Sequence, residues 1–101
     1  MSVMDKIAVL QRLEAHEDEL RGLGLAQLYL FGSVARGEEN AASDVDLFFE
    51  DAPGRLLSYF GIGAARARLR DILQGEVDLV ARSALRPTLR DRIEREAVRV
   101  F

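Results

Sequence analysis

The 101-residue chain has a net charge of −3, with 49% apolar and 31% charged residues. That composition excludes a disordered chain, and the length allows one hydrophobic core, so one domain is expected over 1–101. With no cysteine and one histidine, a disulfide scaffold, a thiolate zinc site, a cysteine nucleophile and a multi-histidine metal site are all excluded.

The elements follow in chain order. Residues 5–21 predict a helix: Val9, Leu13, His16 and Leu20 form an apolar stripe that Ile7 and Leu10 widen, with Asp5 at the N-cap. Gly22 and Gly24 end it. Residues 26–31 read as a buried strand, broken by Gly32. Residues 33–37 read as a turn opening a short helix, and residues 38–43 as a polar loop. Residues 44–50 predict a second strand, closed by Pro53 and Gly54. Residues 55–74 are helical in pattern but carry Gly61 and Gly63. A short helix before them and a better one after are expected, with Ala65, Leu69, Ile72 and Leu73 inward and Gly75 as C-cap.

Residues 76–81 predict a third strand. Ser83–Leu85 lead into a last helix with Pro87 in its first turn and Leu85, Leu89, Ile93 and Ala97 on its apolar side. Its exposed face offers the i,i+4 pairs Arg90–Glu94, Asp91–Arg95 and Arg92–Glu96. Residues 98–101 read as a frayed turn or a short edge strand. The order α, β, short α, β, α, β, α predicts an α/β (α+β) fold, a small mixed three- to four-stranded sheet backed by helices. No apolar run approaches the length of a membrane span and no signal peptide is visible, so a cytoplasmic protein is expected.

Charge is uneven along the chain. Residues 1–51 hold 4 basic and 11 acidic side chains, and residues 52–101 hold 10 and 6. The acidic balance, with no exposed aromatics interleaved among Arg66, Arg68 and Arg70, argues against direct nucleic-acid binding. His16 is read as a core-edge residue. Tyr29 and Phe31 are read as packing, and Tyr59–Phe60 as packing under the sheet in preference to an apolar patch facing a partner.

The segment that carries chemistry is Phe31-Gly32-Ser33-Val34-Ala35-Arg36-Gly37 followed by Ser43-Asp44-Val45-Asp46-Leu47. Gly32 lets a ligand approach the backbone without a Cβ clash. The amides at the start of the following helix suit an anion such as a phosphate. Ser33 adds a hydroxyl donor, and Arg36, one turn further on, either reaches the same phosphates or is merely solvated. Asp44 and Asp46 are two apart on a strand, so both point to one face, roughly 6.5 Å apart at Cα. Two such carboxylates repel each other, and a divalent cation between them relieves the repulsion. A bare Asp-x-Asp reads more readily as a pair of solvated acids at a strand end; the Gly-Ser turn upstream reverses that preference in favour of a site. Asp78, an acid inside the apolar run Val77–Val80, is the candidate third carboxylate. It is expected to need a partner for its burial, with Glu76 as the competing choice.

Gly32-Ser33, ten intervening residues, then Asp44-Val45-Asp46 resembles the signature of the DNA polymerase beta-like nucleotidyltransferase superfamily. The fuller string is similar to its minimal (MNT) branch, small proteins that are commonly antitoxins encoded beside HEPN-domain toxins. The resemblance spans about residues 5–100 and implies the nucleotidyltransferase fold. It implies that Gly32 and Ser33, with Arg36 nearby, hold the phosphates of ATP. Asp44 and Asp46 would ligate two Mg²⁺ ions, with Asp78 as metal ligand or as base. The implied activity moves AMP from ATP to a hydroxyl of a partner protein, a HEPN toxin held in a hetero-oligomer. The alternative is a non-catalytic antitoxin that neutralises the toxin by binding alone.

Overall fold

The computed structural model describes residues 5–38 and 44–101. Alternating apolar residues build its sheet: Leu25–Phe31 (β1), Val45–Asp51 (β2), Val77–Ala81 (β3) and Val98–Arg99 (β4). The strand order is β3-β2-β1-β4. β1 runs antiparallel to β2 and β4, and β2 runs parallel to β3, so the mixed sheet has four strands. The last residues thus form an edge strand. Leu28, Leu30, Leu47, Phe49, Val77 and Leu79 share one face and are buried. The helices Lys6–Ala15 (α1) and Tyr59–Leu73 (α4) supply Val9, Leu13, Ala65, Leu69, Ile72 and Leu73 to the same core. The opposite face carries Tyr29, Phe31, Asp46, Phe48 and Glu50. There Tyr29 stacks on Phe48 at 4.7 Å and Phe31 lies 5.7 Å from the same ring. The one-turn helix Gly32–Ala35 (α3) and the helix Pro87–Glu96 (α5) complete the structure with Glu17–Gly22 (α2). No helix among the described residues is long and apolar enough to cross a membrane.

Several expectations change. The first helix is not continuous: it breaks at His16, whose Nδ1 lies 2.8 Å from the Arg12 carbonyl, and α2 restarts beyond. Asp5 caps α1 through Ala8 N at 2.8 Å, but Ile7 points outward and is 66% exposed. α4 in turn is continuous through Gly61 and Gly63. Ser58 caps its start by accepting from Gly61 N, and four buried side chains outweigh about 1 kcal/mol per glycine. Gln74, not Gly75, makes the left-handed C-cap, at φ 54°.

Tyr59 and Phe60 are not packed under the sheet but about nine-tenths exposed, because the helix turns its first residues away from it. Nor do Glu94 and Glu96 pair along their own helix, since both reach across to arginines of other elements. Arg66 and Arg70 pair with Glu76, and Arg68 with Glu19, which is an ion-paired surface. Residues 39–43 lie outside the described residues, and with them most of the expected 38–43 loop and Ser43 of the motif.

Candidate active site

β1 ends at Phe31 and the chain turns at Gly32 into α3. Gly32 has φ +78°, a conformation that costs an L side chain roughly 1–2 kcal/mol. A Cβ there would also lie 2.2 Å from Asp46 Oδ2 and 3.0 Å from its Cγ. The absent side chain therefore gives the Asp46 carboxylate its room against the turn.

Asp46 faces Phe31 across β1–β2 and Asp78 across β2–β3. Partners in adjacent strands share a face, so the two carboxylates stand side by side. Asp44 precedes the first residue of β2 and has the same parity. Val45, Leu47 and Phe49, the intervening residues, point into the core. Asp46 is half-buried, whereas Asp44 and Asp78 are exposed. The burial argument for Asp78 thus fails, because its side of β3 is open; the register alone brings it to Asp46. Glu76 turns instead to Arg70, at 2.8 Å.

Burial pushes the Asp46 carboxyl above the ordinary carboxylate value. The charges of Asp78, then Asp44, and finally Glu96 add to the rise, and Arg36 opposes it. Arg36 follows α3 and donates from Nε to Glu38 at 3.2 Å. Its Nη1 donates to Glu96 Oε1 at 3.3 Å and to Oε2 at 3.2 Å. These carboxylates, Glu96 first, raise the guanidinium's pKa further. The Gly32 amide donates to the same Glu96 Oε1 at 3.3 Å. Ser33 is the second residue of α3, half-buried, and its carbonyl accepts from Glu38 N at 2.8 Å.

The fold thus brings Gly32, Arg36, Asp44, Asp46 and Asp78 to one end of one sheet face. Glu96 joins them unforeseen. Its sequence neighbourhood suggested only a pair with Arg92, and no local signal marks a contact made 60 residues away.

Among the described residues, no three His, Cys, Asp or Glu side chains are gathered tightly enough to enclose a metal ion. The donor set is instead open and made of hard carboxylate oxygens. Burial and the neighbouring acids together lift Asp46's pKa, and this donor set fits a divalent cation bound together with substrate oxygens.

The nucleotidyltransferase domain family matches residues 13–100. The protein adenylyltransferase MntA of Thermococcus cleftensis is 37% identical over 91 residues, which cover 87% of this chain and 88% of that protein. A solved structure assigned as a minimal nucleotidyltransferase is 35% identical. It superposes with a TM-score of 0.80 over 97% of this chain and 98% of its own. A chain from the complex of a tri-AMPylated Shewanella oneidensis HEPN toxin with its MNT antitoxin shares the fold at 21% identity. Its TM-score is 0.65, over 91% of this chain and 71% of that one.

Proposed function

The chain belongs to the nucleotidyltransferase domain family, and from that premise we propose that it moves AMP from ATP to a hydroxyl of a partner protein. The partner is a HEPN-domain toxin, which the transfer silences, and the pair acts in the cytoplasm as a hetero-oligomer. The observation that carries the reading is the Asp46 carboxylate, seated against Gly32 and facing Asp78. The protein adenylyltransferase relative and the fold neighbour bound to an AMPylated HEPN toxin support the choice of acceptor.

In this proposal the Gly32 amide, the Ser33 hydroxyl and the Arg36 guanidinium orient the β- and γ-phosphates. The acceptor oxygen attacks the α-phosphorus in line, the bond to the bridging β-oxygen breaks, and pyrophosphate leaves. Asp44 and Asp46 would hold Mg²⁺, with Asp78 as a third ligand or as base, and the metal would supply neutralisation of the charge that develops in the transfer. Where Asp78 is not a metal ligand, its exposed carboxylate receives the proton of the acceptor hydroxyl. The protein's contribution is position and charge rather than a covalent intermediate.

Incubation with labelled ATP, Mg²⁺ and the candidate toxin should label the toxin, and Asp44→Ala should abolish the label. Absent transfer by the wild type, or equal transfer by Asp44→Ala, would falsify the proposal. The binding-only alternative draws on one observation: Glu96 already occupies Gly32 and Arg36. It predicts that Asp46→Ala still protects cells from the toxin. Loss of protection with the complex intact rules it out.

A further inference from the structure

Glu96 stands in the site without a place in its motif. It is the last residue of α5, at a helix C-terminus, where the helix dipole disfavours an anion. Two donors hold it there. Its Oε1 accepts from the Gly32 amide at 3.3 Å and from Arg36 Nη1 at 3.3 Å, and its Oε2 accepts from the same Nη1 at 3.2 Å. These are two of the donors that the nucleotide reading assigns to phosphate.

The carboxylate is thus positioned as an anion in an anion site, while three aspartates crowd the same end of the sheet. A triphosphate arriving there meets both an occupied site and the repulsion of the occupant. The Glu96 side chain keeps a solvent-facing edge, being 19% exposed. Ala97 follows Glu96 in extended conformation, and the chain enters β4, which pairs with β1 through Leu30↔Val98 and Tyr29↔Arg99. The backbone beside the site is therefore fixed, and rotation of the Glu96 side chain frees both donors without moving a strand.

We propose that Glu96 is a resident anion that competes with the triphosphate for Gly32 and Arg36, so that nucleotide is admitted only when its carboxylate swings out. The inference rests on the nucleotidyl-transfer reading. It makes Glu96 a positioning residue: it keeps the donors aimed while the site is empty and lowers apparent ATP affinity by the fraction of time it occupies them.

The test is calorimetric titration of the full chain with ATP and Mg²⁺, without toxin. Glu96→Gln, which keeps the shape and removes the charge, should bind ATP roughly 3- to 10-fold more tightly than the wild type. Glu96→Asp, which restores the charge, should return affinity toward the wild-type value. Glu94→Gln, on the same helix but outside the site, should leave it unchanged. The Gly32 amide resonance of the nucleotide-free protein should also move in Glu96→Gln and stay in place in Glu94→Gln. A structural role alone predicts lower thermal stability with unchanged ATP affinity. Unchanged or weaker ATP binding by Glu96→Gln, with the wild type binding normally, overturns the inference and leaves the transfer reading standing. No ATP binding by either protein overturns both.

Discussion

Two arginines of this molecule are each gripped by two glutamates, and α5 gives one glutamate to each. Arg36 is held by Glu38 and Glu96, and Arg82 by Glu50 and Glu94. Both sets lie on the face of the sheet that carries Tyr29 and Phe48. They differ in their surroundings. Glu50 and Glu94 converge on Arg82 between β2 and α5, and the grip closes on itself. The guanidinium's pKa is driven far above its ordinary value, and Glu94's is lowered by the same hydrogen bond. At the other end the charge of Arg36 reaches Asp46, which also feels Asp78 and Asp44. Burial first, and then the negative charge left over, raise the pKa of Asp46. The same pairing therefore fastens a helix at one end of β2 and occupies a site at the other. The surplus of acids beside it, more than the ion pair itself, separates a structural cluster from a functional one.

The most severe way to break the site end is Gly32→Ala. The new Cβ would fall 2.2 Å from Asp46 Oδ2 at a φ of +78°. Displacement of the carboxylate should lower label transfer to the toxin by about 100-fold or more. Thermal melts should show a loss of roughly 1–2 kcal/mol from the backbone conformation alone.

Asp46→Asn tests the burial of this carboxylate and the surplus of negative charge around it together. A carboxylate whose folded pKa is raised contributes stability that is fully present below its unfolded pKa and lost as pH rises through the folded one. The metal-free protein should thus lose stability from this group as pH rises from the ordinary aspartate range toward neutrality. Asp46→Asn should melt higher than the wild type at neutral pH, and the difference should vanish in acid. Added Mg²⁺ should raise the wild-type Tm at neutral pH more than that of Asp46→Asn, because binding to the folded state stabilises it. A variant that melts lower than the wild type at neutral pH contradicts the surplus.

The legible parts of the molecule are those fixed by short-range rules. Alternation through Val45, Asp46, Leu47 and Phe49 set both the strand and the direction of its carboxylates. The Gly-Ser turn and the acids at fixed spacing mark the candidate site. Parity alone offers Asp78 and Glu76 alike, the register of β2 and β3 brings Asp78 to Asp46, and period-two reading does not tell whether the far face of an edge strand is covered. Propensity misled where packing or capping decides. It broke α4 at Gly61 and Gly63 although four buried side chains hold the helix, and it ran the first helix through His16. Tyr59 and Phe60 look like core by composition, yet they fall in the first turn of α4, ahead of the stretch that lies on the sheet. Glu96 was beyond reach because its place depends on β4 returning beside β1, a pairing that no local pattern announces.

The mildest perturbation is also the sharpest comparison, because Glu94→Gln and Glu96→Gln make the same chemical change two residues apart. Glu94 accepts from Arg82 Nε at 2.8 Å with both side chains half-buried and partly open to solvent, so its loss should lower Tm by no more than a few degrees. Its pH dependence runs opposite to that of Asp46. A carboxylate whose folded pKa is lowered contributes stability present above its unfolded pKa and lost as pH falls through the folded one. The wild type should therefore exceed Glu94→Gln in Tm at neutral pH and converge with it in acid. Toxin labelling should be unaffected, since Glu94 touches Arg82 and none of Gly32, Arg36 or the aspartates. If Glu94→Gln reduced labelling as Glu96→Gln altered ATP affinity, the two arginine clusters would form one coupled network along α5. The division between a fastening end and a working end of β2 would then dissolve.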